Sequence, residues 1–330
     1  MLPLIAISIG DINGIGPEIV LKAFHRSDLL DNCRPVIYGP EDVILFYSQR
    51  LGMDVPLQRL TAPGEAREGS VGYVVTQGAL RQEDIGRPTA ESGRISLDAI
   101  RAAFDAAHSG AAQALVTAPI SKEAIALAGS PFHGHTDMLA AFCESGENVL
   151  MILSSNTMNV GLVTIHVPLR EVAALITQER VARTVRLAHR AMEVDFAIDD
   201  PRIAVLGLNP HAGDGGVIGA EEAEIIQPAV AALQEEGLNV EGPFPADGFF
   251  SAHTQQFYDI IIAMYHDQGL IPLKLQAMGR GVNITSGLPV VRTSPDHGTA
   301  YNIAGHGLAS PESMKEAVHF ARSIASNRLQ

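Results

Sequence analysis

Ile203-Ala-Val-Leu-Gly-Leu-Asn-Pro-His-Ala-Gly213 begins as a short apolar, β-branched run, turns at Asn209-Pro210, and gives way to the helical pattern of Ala220–Glu235. A run of that length, bounded by turn residues and followed by a helix, reads as a buried strand in a βα unit. The alternation continues outward on both sides. Strand-like runs lie at Leu4–Ile9, Pro35–Tyr38, Ala114–Thr117, Val149–Leu153, Val160–Ile165 and Asp259–Met264. Helical patterns follow at Pro17 to about Phe24, after Gly39-Pro40, over Ser96–Ser109, along Val181, Val185, Ala188 and Met192, and after Ser310-Pro311. Strands alternating with helices predict an α/β fold with a largely parallel sheet. Residues 53–93, rich in Gly, Pro and Glu, are the least regular stretch.

Composition narrows the function. The 330 residues are 46% hydrophobic and 18% charged, which is globular, excludes wholesale disorder, and gives length enough for two domains. The charge balance is 23 − 37 = −14, a field that repels phosphate backbones and excludes nucleic acid as partner. An anionic substrate would therefore need a local basic pocket. Cys33 and Cys143 stand in unrelated contexts, which suits a reducing compartment and gives neither a disulfide framework nor a thiolate metal site. Leu2–Ile9 has no basic flank and ends at Gly10-Asp11, so it reads as a strand rather than a signal peptide. No run approaches the ~20 apolar residues that span a bilayer. A soluble, cytoplasmic enzyme without a membrane partner is expected.

Three of the twelve histidines share one context. His166 follows the run ending at Ile165, His211 follows Leu208-Asn-Pro210, and His266 follows Ile260-Ile-Ile-Ala-Met-Tyr265; a Pro or Gly turn comes after each. Ligands of parallel α/β sheets collect at the carboxyl ends of strands, and three imidazoles meeting there would hold a metal with positions left open. A loop histidine is otherwise solvated or hydrogen-bonded, so it is the repetition that carries the reading.

Groups suited to an anion lie elsewhere. Lys274, Asn283 and Arg292 follow His266 among Gly-rich turns, and Phe132-His-Gly-His135-Thr136-Asp137 precedes an apolar helix. Thr136 reads as an N-cap and Asp137 as a first-turn charge, which leaves His135 over as a donor. Gly10-Asp-Ile-Asn-Gly-Ile-Gly-Pro17 opens a helix after a strand. It is either an anion-holding helix N-terminus or a tight structural turn, and it lacks the dinucleotide fingerprint.

Taken together, these blocks resemble the 4-hydroxythreonine-4-phosphate dehydrogenase family of vitamin B6 biosynthesis, nearly end to end. The resemblance rests on Gly14-Ile-Gly-Pro-Glu18, Gly134-His-Thr136, His166-Val-Pro-Leu169, Gly207-Leu-Asn-Pro-His-Ala-Gly213, Pro245-Ala-Asp247, Ala263-Met-Tyr-His-Asp-Gln-Gly269, Gly281-Val-Asn-Ile-Thr285 and Arg292-Thr-Ser-Pro-Asp-His-Gly-Thr-Ala300. It implies an isocitrate/isopropylmalate dehydrogenase-like fold of two α/β/α domains with a cleft, one from 1–125 plus 285–330 and one from 126–284. It also implies a homodimer with a shared active site. The implied reaction is NAD- or NADP-dependent oxidation and decarboxylation of 4-phosphooxy-L-threonine to 3-amino-2-oxopropyl phosphate. By matching motif, His166, His211 and His266 would hold a divalent metal, with Zn favoured and Mg or Mn admitted. His135, Thr136, Lys274, Asn283 and Arg292 would contact the phosphorylated substrate. The segment Asp296–Ala309 would take the cofactor through Asp296, His297, Gly298, Thr299 and Asn302. Asp247 and Asp267 are the candidates for proton transfer or for orienting a ligand histidine. Asp11-Ile-Asn13, His133 and Asp137 depart from the common family residues. They leave room for a threonate or erythronate 4-phosphate, or for an aromatic dihydrodiol, and a metal-dependent hydrolase is the reading from another class.

Overall fold

In the computed structural model of the chain, residues 2–144 and 148–329 are described. Contacts divide the chain into two units, residues 1–147 with 288–330 and residues 148–287.

The first unit opens with β1 (Leu4–Ser8), α1 (Gly16–Phe24), β2 (Arg34–Gly39), α2 (Glu41–Arg50), β3 (Leu57–Leu60), β4 (Val71–Val75), α3 (Ala90–His108), β5 (Ala114–Thr117), α4 (Lys122–Leu127) and α5 (His135–Phe142). The second unit contains β6 (Leu150–Ser155), β7 (Met158–Leu162), α6 (Leu169–Leu175), α7 (Gln178–Val194), β8 (Ile203–Leu206), α8 (Gln227–Glu235), β9 (Val240–Phe244), α9 (Ala246–Ser251), β10 (Ile260–Ala263), α10 (His266–Ala277) and β11 (Val282–Ser286). The chain then returns to the first unit with β12 (Arg292–Pro295) and α11 (Glu312–Asn327).

In the first unit the strand order is β3-β4-β2-β1-β5-β12 and the pairings are parallel. Ile5, Ile7, Val36, Ile37, Leu115 and Val116 are buried, as strands covered on both faces must be. In the second unit the order is β11-β6-β7-β10-β8-β9. There β11, β6 and β7 pair antiparallel, while β7, β10, β8 and β9 run parallel. Its core is built from Val160, Leu162, Ala204, Leu206, Ile261, Ala263, Leu270 and Leu273. The α/β class read from the sequence holds. No helix among the described residues is long and apolar enough to cross a membrane.

Several local expectations change. The irregular stretch 53–93 contributes two strands, β3 and β4. Helix α3 starts at Ala90 rather than Ser96, because Thr89 and Ser92 form a capping box in which each side chain bonds the other's backbone N–H. The second unit begins at Asn148 rather than at 126. Phe142 of α5 lies 5.2 Å from Phe104 of α3, and the Arg101 guanidinium sits 3.4 Å above its ring, so α5 packs with the first unit. Gly269 does not form a turn after His266 but lies inside α10, where a Cβ would come within 2.5 Å of Val160 Cγ1.

Helices α3 and α4 meet at Gly93, where a Cβ would lie 2.0 Å from the carbonyl oxygen of Ala124. Ala has the better helix propensity, worth about 1 kcal/mol over Gly. Backbone cannot yield that contact cheaply, so overpacking should win. Gly93→Ala is expected to lower stability by about 1–3 kcal/mol in chemical denaturation. An unchanged or higher midpoint would show that α3 and α4 do not approach so closely.

Candidate functional site

His166 and His266 come together in the second unit. The ladder between β7 and β10 runs on past the strand ends through Val163 N–H to Ala263 O (2.9 Å) and Thr164 N–H to Met264 O (3.1 Å). That continuation carries both histidines to the same end of the sheet, with ring centroids 5.7 Å apart. Two imidazoles sharing one tetrahedral metal at ~2.0–2.1 Å would have centroids roughly 5 Å apart, so the pair fits a common ion. Asp267 Oδ1 lies 2.7 Å from His266 Nδ1, which fixes that ring and leaves Nε2 for a ligand. Asp267 is thus in hydrogen-bond contact with His266.

His211 stands on an unusual backbone. Residues 211–215 all have φ between 46° and 79°. For His211, Ala212 and Asp214 that left-handed conformation costs about 1–2 kcal/mol each. The Glu222 carboxylate, buried, offsets part of it. Its Oε1 accepts the amides of Leu208 and Asn209, each at 2.7 Å, and its Oε2 accepts Asn209 Nδ2 at 2.9 Å. Among the described residues no group of three His, Cys, Asp or Glu is gathered tightly enough to hold a metal, so the structure brings together two of the three histidines. Asp247, in the first turn of α9, is exposed.

The anion-binding candidates are distributed over both units. In the first, Arg292 on β12 is 2% exposed and donates from Nε and Nη2 to Thr117 Oγ1 at 3.2 and 2.8 Å. Burial pushes the guanidinium down to about 9, so it stays charged at neutral pH. His135 is the first residue of α5, and its Nε2 is buried with no hydrogen-bond partner. Burial, and after it the positive charge of Arg292, holds the imidazole well below its ordinary value. A buried cation beside a buried donor with nothing to donate to is an arrangement that a phosphate oxygen would complete. Thr136 is not the N-cap; Gly134 takes that place, while Asp137 is the acidic residue of the first turn as expected and accepts the amide of His133 at 2.6 Å. In the second unit, Lys274 is exposed on the last turn of α10 rather than in a Gly-rich turn, and Asn283 Oδ1 on β11 is buried without a hydrogen-bond partner.

The Gly10–Pro17 turn resolves in favour of the structural reading. Its amides are taken by protein acceptors: Asn13 by Asp11 Oδ1, Gly14 by Asp11 O, and Ile15 by Thr299 O, at 2.9–3.0 Å. Buried Glu18 adds negative charge to the helix's first turn, where an anion would otherwise sit. Of the cofactor candidates, Gly298 and Asn302 are exposed, while Asp296, His297 and Thr299 are half-buried. Sequence reasoning missed Glu222 and Glu18, and nothing but their place in Gly-Pro-Glu18 and Glu221-Glu222 marked them.

The model of the pyridoxal phosphate biosynthetic protein PdxA family matches residues 31–321. The 4-hydroxythreonine-4-phosphate dehydrogenase of Prosthecochloris aestuarii is 45% identical, over 98% of this chain and 97% of that protein. The crystal structure of the Klebsiella pneumoniae enzyme of the same name superposes with a TM-score of 0.88 at 38% identity, covering 98% of each chain. A terephthalate 1,2-cis-dihydrodiol dehydrogenase from Burkholderia xenovorans is 31% identical with a TM-score of 0.61, over 95% of this chain and 96% of that one. These relatives are dehydrogenases, which overturns the hydrolase alternative. The chain belongs to the pyridoxal phosphate biosynthetic protein PdxA family and is an oxidoreductase.

Proposed function

We propose that the protein oxidises and decarboxylates 4-phosphooxy-L-threonine to 3-amino-2-oxopropyl phosphate, with NAD or NADP as hydride acceptor and a divalent metal, Zn foremost, at His166, His211 and His266. The observation that carries the metal reading is the His166–His266 pair with Asp267 behind it. A bound divalent ion would lower the pKa of the substrate's secondary alcohol and offset the negative charge that develops on it. Asp267 fixes the ring of His266 through Nδ1, and Glu222 holds the turn that presents His211. Arg292, His135 and Thr136 in the first unit, with Lys274 and Asn283 in the second, would bind the phosphate. The segment from Asp296 to Ala309 would hold the dinucleotide through Asp296, His297, Gly298, Thr299 and Asn302. Asp247, exposed on α9, is the proposed proton-transfer group. The setting is the cytoplasm.

A second copy of the chain is the proposed partner. Ile271, Leu275 (73% exposed) and Met278 (86% exposed) line one side of α10 around Lys274, while Leu270, Leu273 and Ala277 fill the core. An exposed apolar row beside the lysine proposed to bind substrate suits a homodimer with a shared pocket.

Incubation with NAD, 4-phosphooxy-L-threonine and each metal in turn should raise absorbance at the NADH wavelength, and chelation should abolish the rise. No reduction with any metal would end the reading. Arg292→Ala and Lys274→Ala should each lower kcat/KM about 10- to 200-fold, the worth of one charge-assisted hydrogen bond. The loss should be much smaller on the dephosphorylated analogue, which lacks the partner; equal losses on both would favour the dihydrodiol. Mixing inactive His166→Ala with the impaired Lys274→Ala protein should raise activity above that of Lys274→Ala alone if subunits share the pocket. A monomeric species with full activity would rule the sharing out.

A further inference from the structure

Residues 299–309 have little regular structure of their own, a single 3-10 turn at Tyr301–Ile303. They are nevertheless fastened at intervals along their length. The carbonyl of Thr299 accepts the Ile15 amide at 3.0 Å, and the Tyr301 hydroxyl donates to Asp11 Oδ2 at 2.8 Å. Arg50 Nε donates to Gly305 O at 2.8 Å. Glu18 then accepts the amides of Gly307 (3.2 Å) and Ala309 (2.8 Å), while Lys22 Nζ donates to the carbonyls of the same two residues at 2.7 and 2.8 Å. Glu18 and Lys22 also pair with each other at 2.7 Å.

The fastening groups are themselves held. Glu18 and Asp11 are buried, and Asp11 takes further bonds from Ser92 Oγ (3.2 Å) and the Asn13 amide (2.9 Å). At Gly14 a Cβ would come within 2.9 Å of Thr299, so this close approach requires glycine. The other side of the segment is open: Asn302, His306 and Leu308 are exposed. A chain tied down residue by residue along one edge and presented along the other is ordered before anything binds to it.

We propose that Glu18, Lys22, Asp11 and Tyr301 are positioning residues that hold residues 299–309 preformed for the nicotinamide dinucleotide. The cofactor then meets an ordered segment instead of having to order one. This rests on the dinucleotide reading given above. If only a fraction of molecules had the segment in place, apparent affinity would fall by that fraction. The same loss would leave turnover at saturating cofactor less affected.

Glu18→Gln removes the charge that binds Lys22, and Tyr301→Phe removes a single hydroxyl while keeping the ring. Both are compared with the parent by hydrogen exchange without cofactor, by calorimetric binding of NAD, and by KM against kcat. Residues 299–309 should lose most of their protection from exchange, with no change in β7 or β10, and the Kd for NAD should rise about 10-fold as the ordered fraction falls to about a tenth. KM for NAD should rise more than kcat falls. Unchanged exchange in both variants overturns the inference, as does faster exchange with unaltered NAD affinity. If Glu18→Gln does not fold, Tyr301→Phe alone decides it. A parent protein that binds no dinucleotide sinks the functional reading and this inference together, whereas a parent that binds it and variants that bind it equally well sink only the inference.

Discussion

A carboxylate buried without partners is among the most costly groups a fold can contain, and Glu18 at the head of α1 escapes that cost by three bonds. Lys22 supplies the opposite charge one helical turn away, and the amides of Gly307 and Ala309 supply two donors. Glu18 is fully buried and Lys22 half-buried, so removing the lysine would leave a buried charge uncompensated. The consequence is topological. The last stretch of chain before α11 is bound to the first helix, so the first unit closes with residues from both ends of the sequence. β12, and with it Arg292, lies parallel beside β5.

The same economy of buried charge applies at the proposed anion site. A net charge of −14 repels a phosphorylated substrate at long range. Burying a guanidinium beside an imidazole that is kept neutral concentrates attraction where the ligand would bind. His135 contributes a donor without a second positive charge, which would raise the cost of Arg292 further. Thr117 holds the guanidinium through a neutral hydroxyl, so the charge is oriented without being cancelled by that contact.

What could be read from sequence follows from how each element is specified. β1, β2, β5, β6, β8 and β10 are apolar runs between turn residues and were legible to within a few residues. β12 is Arg-Thr-Ser-Pro and β9 contains Gly-Pro, so neither carries the apolar signature of a strand; both are defined by their neighbours. β3, Leu-Gln-Arg-Leu, is a short edge strand with half its residues polar. The α3 start escaped because its capping box closes with Ser92 where Glu or Gln is the usual signal. His166 and His266 were singled out by their shared position past a strand, and their rings do lie close together. Glu18 and Glu222 were not, since a buried carboxylate and a surface one look the same until the amides that bind them are located.

The left-handed run from His211 to Gly215 holds backbone strain at the candidate metal end of the second unit. Three non-glycine residues in that region oppose folding by an amount that a marginally stable protein cannot ignore. A turn selected for stability alone would place glycine at each of them. Glycine does stand at 213 and 215, while position 211 keeps a histidine. Glu222 reaches back across the turn to accept the amides that precede it, so the strained backbone is held by a carboxylate rather than relaxed by sequence. Two of the three strained non-glycine residues, His211 and Asp214, carry side chains able to ligate a metal, which is why strain at this turn supports the metal site proposed there.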